Sequence, residues 1–232
     1  MIDESDFLKT PQSALDPDPR TKYLVLQDNL SRHIRQVTLV DQHELISTFT
    51  LNPNVPEEVS IHFETAKNLY LYSWFVFRFY PVAEQQALTT LEYALRLGCP
   101  EFVKEQSDNN RFKNEPGLKK LIKHAGKTGK IKNELFPSRF EWASQRAKAR
   151  FRYLKFNEMI DSELIEMELD DSDVEPSDDD LNHDWIKDFI DQMPGLRNDL
   201  AHGSPALHHT VIHTFDVVRS MINMLFPEAK EK

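Results

Sequence analysis

The chain has 232 residues, of which 40% are hydrophobic and 28% are charged, and its net charge is −10. This composition excludes a disordered chain and a membrane protein, and the length suits one domain with decorations. The single cysteine, Cys99, excludes a disulfide framework and a multi-cysteine zinc site. The first ten residues lack the basic and apolar stretches of a secretory signal, so we expect a cytoplasmic protein.

The charge is unevenly distributed along the chain. Residues 161–180 contain eleven carboxylates and no lysine or arginine, and without this acidic run 28 basic residues face 27 acidic ones. Residues 111–155 contain fourteen basic residues and three glutamates. A basic block of this kind can neutralise nucleic-acid phosphates, but the acidic run can also fold back over it. The charge pattern alone favours the second interpretation.

Residues 1–55 show no clear periodicity, and we predict that they form an irregular N-terminal extension. Apolar residues at mixed spacing in 23–30 and 37–49 fit short helices and short strands equally well. Residues 52–56 (NPNVP) mark a break in the chain. A helix is expected to begin at Pro56, because a proline followed by two acidic residues, Glu57 and Glu58, suits the first turn of a helix.

From residue 56 onward the apolar spacing predicts helices. Residues 66–80 are apolar on almost every side, which indicates a buried helix, and Pro81 either kinks that helix or begins the next one. The next helix covers 82–97 and is expected to end at Gly98. A polar and basic insertion occupies 100–136 and contains a short helix at 118–124.

A long basic helix is predicted from its cap, Ser138, to about Ile160. The acidic run at 161–180 then forms a loop, and a further helix begins near Asn182. The last helix is predicted over 205–226. The basic residues on the solvent faces of the long helix are Arg146, Lys148, Arg150, Arg152 and Lys155. Residues 56–232 are therefore predicted to form an all-α bundle, interrupted by charged insertions.

The most specific segment, residues 194–203 (PGLRNDLAHG), connects the last two predicted helices. Asn198 and His202 are four residues apart, so they share one face of a regular helix. Arg197 and His202 are five residues apart, which turns them away from each other. Convergence of Arg197 and His202 therefore requires an irregular turn or a second protomer. Ser204 and Pro205 suit the cap and the first turn of the last helix.

At these residues the sequence resembles the HEPN superfamily, whose helical domains share an arginine followed, after four to six residues, by a histidine. Arg197-x4-His202 matches this motif, and Asn198 follows the arginine as in many members. The helix around residues 84–96 is similar to the second helix of several members. The resemblance covers roughly 57–98 and 140–226. It implies that residues 56–232 form a HEPN-like up-down helical bundle.

The resemblance also implies metal-independent cleavage of RNA by a homodimer that pairs two motifs, as in toxins and antiviral defence ribonucleases. His202 would move a proton at the ribose 2′-OH or at the leaving oxygen, because imidazole titrates near neutral pH. Arg197 would hold the scissile phosphate, and Asn198 would orient a phosphate oxygen or His202. Glu84 would set the protonation of His202. The basic residues at 146–155 would bind RNA without sequence preference.

The expected products of this reaction are a 2′,3′-cyclic phosphate and a 5′-hydroxyl. No metal and no other cofactor is expected. RNA and a second copy of the chain are the expected partners, together with an antitoxin or regulatory protein, and no membrane is expected.

Several alternatives remain open. The motif residues can instead stabilise a helical corner, or they can belong to a noncatalytic HEPN module that binds nucleotide, RNA or protein. His208, His209, His213 and Asp216 have the spacing of a metal face, although a solvated helix face fits them better. The aromatic residues of 70–80 can stack on bases, although a core or a dimer interface fits them better.

Overall fold

A computed structural model of the chain describes residues 4–27, 33–108, 115–202 and 208–228. This part of the chain is mostly helical, and none of its helices is both long and apolar enough to cross a lipid bilayer. Its α-helices are α1 (Leu39–Ser47), α2 (Glu57–Tyr72), α3 (Phe79–Gly98), α4 (Pro100–Asp108), α5 (Leu118–Lys127), α6 (Arg139–Asp161), α7 (Asp178–Leu181), α8 (Trp185–Ala201) and α9 (Ile212–Leu225). The all-α prediction is thereby confirmed for the described residues.

The described strands, β1 (Val25–Gln27) and β2 (Ile34–Gln36), form one antiparallel ribbon ahead of α1. Helix α1 follows directly, and it begins with a capping box in which Thr38 and Asp41 bind each other's backbone N–H groups. The mixed apolar spacing of this region therefore reflects a short ribbon followed by a short helix.

Helix α3 is the centre of the bundle and packs against α2, α5, α8 and α9. Its apolar residues recur every three or four positions, which is the spacing of a helix that buries one broad face. Its fully buried residues are Ala83, Ala87, Leu88, Leu91, Ala94 and Leu95. The helix ends at Gly98, as predicted, where a Cβ atom would lie 3.2 Å from the side chain of Leu225.

The prediction of one helix across residues 66–80 is wrong. Helix α2 ends at Tyr72, the chain turns over residues 73–78, and α3 begins at Phe79. Pro81 therefore lies in the first turn of α3, where the missing N–H has no helical partner to lose. The aromatic residues of this stretch that are buried in the core are Tyr70, Phe77 and Tyr80.

The remaining predicted helices are found close to their expected positions, with one exception. Helix α6 follows Ser138 and α8 begins at Trp185, but α9 begins at Ile212, later than the predicted residue 205. The Ser138 hydroxyl does not cap α6 as predicted, because it donates to Asp216 of α9 instead. The predicted cap and first turn of the last helix, Ser204 and Pro205, lie outside the described residues.

The N-terminal region contributes to the same core as the bundle. Leu24, Ile46, Phe49 and Val55 belong to the cluster of buried apolar residues that α2, α3 and α9 also form. The division of the chain at residue 56 remains a prediction.

A buried carboxylate fastens this N-terminal region to the turn between α2 and α3. Asp18 is 1% exposed and accepts two hydrogen bonds of 2.8 Å from the Arg20 guanidinium, and the backbone N–H of Phe77 donates to it at 3.1 Å. Arg20 and Arg78 both bind Asp6, at 2.9 Å and 2.6 Å. Burial alone would raise the pKa of Asp18, but the hydrogen bonds from Arg20 and Phe77 outweigh it and lower the pKa.

We expect Asp18→Ala to lower the free energy of unfolding by about 2–3 kcal/mol at neutral pH, because Arg20 and the Phe77 N–H lose their acceptor. A carboxylate with a depressed pKa stabilises the folded state above its ordinary pKa of 3.8, and this contribution is lost as the pH falls through the folded-state pKa. The difference between wild type and variant should therefore shrink below about pH 4. Urea unfolding of both proteins at several pH values, monitored by circular dichroism, measures this difference in unfolding free energy.

The matched control is Asp16→Ala, which removes an exposed carboxylate two residues earlier. An equal loss of stability in both variants, or a loss in Asp18→Ala that does not change with pH, would contradict this account.

Candidate functional site

The motif residues lie at the C-terminal end of α8. Arg197 and Asn198 belong to its last turns, and His202 is the C-cap residue, whose backbone N–H donates to the carbonyl of Asn198 at 2.9 Å. The helix is continuous through Ala201, so the side chains of Arg197 and His202 leave it about 140° apart. Asn198 and His202 are both exposed and share one face. Within one chain, α8 thus directs Arg197 and His202 to different sides.

A buried carboxylate of α3 holds Arg197 in place. The Nη2 atom of Arg197 lies 3.4 Å from Oε2 of Glu92, whose side chain is only 8% exposed. Glu92 also binds Arg96 at 2.6 Å, and Arg197 donates to the Oδ1 atom of Asn198 at 3.4 Å. The side chain of Arg197 remains 36% exposed. The guanidinium is therefore fixed in position while water still reaches the side chain.

A second buried carboxylate, Glu84, lies two turns earlier on α3. Its Oε1 atom accepts a hydrogen bond of 2.6 Å from the Thr214 hydroxyl, and its Oε2 atom lies 3.2 Å from Nε2 of His208. Burial raises the pKa of Glu84, against the lowering effects of Thr214 and His208. The structure thus places Glu84 beside His208 rather than His202, because the start of α9 packs along this part of α3.

The two carboxylates contact two different elements. Glu84 and Glu92 are eight residues apart on α3, which corresponds to about 12 Å along the helix axis. Glu92 holds the end of α8 through Arg197, and Glu84 holds the chain before α9 through His208.

Neither Glu92 nor the contact between Glu84 and His208 was predicted from the sequence. A signal for Glu92 does exist, because it lies among Leu88, Leu91 and Leu95 at helical spacing. An acidic residue on an apolar helix face requires a partner when it is buried.

The basic face of α6 is partly covered by the acidic run. Asp180 is completely buried and accepts two hydrogen bonds from Arg150, at 2.7 Å and 2.6 Å. Its carboxylate also lies 3.7 Å from Nε of Arg146 and caps α7 through Ser177. The hydrogen bond from Arg150, followed by that from Ser177, holds the pKa of Asp180 far below its ordinary value. The acidic run is thus docked on α6 at this point.

Two of the other three predicted RNA-binding residues of α6 also contact carboxylates. Arg152 donates to Asp171 of the acidic run at 2.6 Å, and Lys155 pairs with Glu158 of the same helix at 2.7 Å. Lys148 has no ion-pair partner among the described residues. Four of the five basic residues therefore contact carboxylates of their own chain, which is the self-neutralised arrangement that the charge pattern favours.

The histidines near α9 do not form a metal face. His209 precedes α9 and His213 lies within it, and Asp216 binds Arg219 at 2.7 Å and Ser138 at 2.6 Å. Across the described ranges, no three His, Cys, Asp or Glu side chains come close enough together to hold a metal ion.

Comparison with protein-family models, curated proteins and solved structures finds no match to this chain. The resemblance to the HEPN superfamily therefore depends on the motif residues and their helical setting. The geometry contributes an arginine paired with a buried carboxylate, Glu92, and an exposed asparagine and histidine at the same helix end.

Proposed function

We propose that the chain is a metal-independent endoribonuclease of the HEPN type that acts as a homodimer in the cytoplasm. The observation that supports this proposal is the Arg197 guanidinium, which pairs with buried Glu92 and contacts exposed Asn198 at the same helix end as exposed His202. An arginine that is ordered before the substrate arrives binds phosphate without a further loss of side-chain entropy. The family resemblance adds the biological setting, a toxin or antiviral defence protein controlled by an antitoxin or regulatory protein.

The reaction is an attack of a ribose 2′ oxygen on the adjacent phosphorus. His202 removes the 2′-OH proton as the O2′–P bond forms, and it returns that proton to O5′ as the P–O5′ bond breaks. Arg197 balances the negative charge that develops on the phosphate oxygens. The products are a 2′,3′-cyclic phosphate and a 5′-hydroxyl, and the reaction consumes neither water nor metal.

The helix geometry supports the proposed dimer. Because Arg197 and His202 leave the end of α8 about 140° apart, a single chain directs them to different sides of the helix. Two copies related by a two-fold axis can pair Arg197 of one chain with His202 of the partner subunit. Each dimer then contains two composite sites.

A noncatalytic module that binds nucleotide, RNA or protein is the second candidate. The ion pair between Arg197 and Glu92 is compatible with it, because a paired guanidinium can stabilise the helix end without taking part in catalysis. The two candidates differ in whether RNA is cut.

Cleavage of a mixed RNA pool in EDTA distinguishes them. We expect the wild type to cut RNA and to leave cyclic-phosphate ends, and we expect His202→Ala to be about 10²–10⁴-fold slower because it lacks the proton-transfer group. His213→Ala removes another exposed histidine and should retain full activity. Circular dichroism checks that each variant is folded. Equal cutting by wild type and His202→Ala would contradict the assignment, and binding without cutting would support the second candidate.

The contacts of the acidic run predict how RNA affinity is limited. Replacing Asp171 and Asp180 by asparagine should strengthen binding of a single-stranded RNA several-fold, because Arg150 and Arg152 become available to phosphates. Each additional phosphate contact should steepen the salt dependence of log K by about 0.7. Fluorescence anisotropy measures both quantities.

The matched control replaces Asp173 and Asp178, which are exposed acids of the same run and form no ion pair within the described residues, by asparagine. Both double variants change the net charge equally. If their RNA affinities are the same, the docked carboxylates do not limit access to α6.

A further inference from the structure

A largely apolar cavity of about 580 Å³ lies between the β1–β2 ribbon, α1 and the start of α9. Its volume is in the range of pockets that hold small molecules, about 300–1,000 Å³. The residues of the motif, Arg197, Asn198 and His202, do not line it. Its apolar and aromatic walls include Leu24, Val37, Leu45, Tyr70, Tyr80 and Ile212.

One hydroxyl on the cavity wall is available to a ligand. Tyr70 lines the cavity and is 6% exposed as a whole residue, and its hydroxyl forms no hydrogen bond to another described residue. The neighbouring polar groups are satisfied, because Tyr80 donates to Gln42 at 2.9 Å and the Gln42 amide donates to the backbone carbonyl of Tyr70. A polar ligand atom in the cavity would bond to this hydroxyl in place of water.

The charges at the cavity indicate the sign of its ligand. Neither lysine nor arginine lines it in the described residues, whereas two carboxylates, Asp41 and Glu44, and two histidines, His209 and His213, do. Burial lowers the pKa of His209, which favours its neutral form. Arg35 binds Asp41 with two hydrogen bonds, of 2.7 Å and 2.6 Å. Glu44 is exposed and has no ion-pair partner among the described residues. Glu44 is therefore an unpaired carboxylate at the cavity, and tyrosine rings also attract cations.

We propose that this cavity binds a small amine, a molecule with an apolar or aromatic body and one ammonium group. The body contacts the apolar walls, the ammonium group pairs with Glu44, and a polar atom of the body bonds to the Tyr70 hydroxyl. Arg197 and His202 take no part in this binding. A failure of this proposal therefore leaves the proposed ribonuclease activity untouched, and the reverse also holds.

Three probes with the same indole ring test the proposal by isothermal titration calorimetry. Tryptamine is cationic, 3-ethylindole is neutral, and indole-3-acetate is anionic. We expect tryptamine to bind about 10-fold more tightly than 3-ethylindole, and we expect indole-3-acetate to bind most weakly. If indole-3-acetate binds as tightly as tryptamine, the cavity does not select amines. If no probe binds at millimolar concentration, the cavity is not a site for this class.

Substitutions assign the contacts. Glu44→Gln should reduce tryptamine affinity to that of 3-ethylindole, whereas Glu58→Gln, an exposed acid on α2 that does not line the cavity, should change nothing. Tyr70→Phe should weaken tryptamine binding by about 2- to 10-fold. An unchanged affinity in Glu44→Gln would overturn the proposed charge pair.

A filled cavity provides the test of location. Leu45 lines the cavity and is 45% exposed, so Leu45→Trp can occupy the cavity without disturbing the core. Val40→Trp, on the same helix but outside the cavity, is the control. We expect loss of tryptamine binding in Leu45→Trp alone, with both variants folded by circular dichroism. Wild-type affinity in Leu45→Trp would place the binding elsewhere.

Discussion

The burial of two carboxylates on α3 is the constraint that positions the end of α8 and the start of α9. A buried carboxylate is costly unless cations or hydrogen-bond donors meet it, so Glu84 and Glu92 require partners from other elements. Glu92 receives Arg197 from the end of α8, and Glu84 receives His208 and Thr214 from the region where α9 begins. As a result, the end of α8 is fixed against the central helix while Asn198 and His202 face outward.

The same pairing of a buried acid with arginine occurs at two other places in the chain. Asp18 binds Arg20 and fastens the N-terminal region to the bundle, and Asp180 binds Arg150 and docks the acidic run on α6. These pairs explain how a chain with strongly separated charge blocks remains compatible with one folded structure. They also mean that α6 offers RNA fewer unpaired cations than its sequence suggests.

The sequence predicted those features that depend on local spacing. The apolar periodicity of α3, the cap position before α6 and the placement of the motif at a helix end are all properties of neighbouring residues. The break between α2 and α3 was not predicted, because an unbroken apolar stretch does not show where a chain turns within a core. The contacts of Glu92 with Arg197 and of Asp180 with Arg150 were also beyond prediction, because these residues are 105 and 30 positions apart and meet only in the folded chain.

Subunit complementation tests the proposed composite site most directly. Arg197→Ala and His202→Ala should each be inactive alone, and a mixture of the two that exchanges subunits should recover about one quarter of wild-type RNA cleavage. Half of the dimers would then be mixed, and each would contain one intact pair of Arg197 and His202. A mixture that forms mixed dimers but remains as inactive as the separate variants would contradict a site shared between two chains.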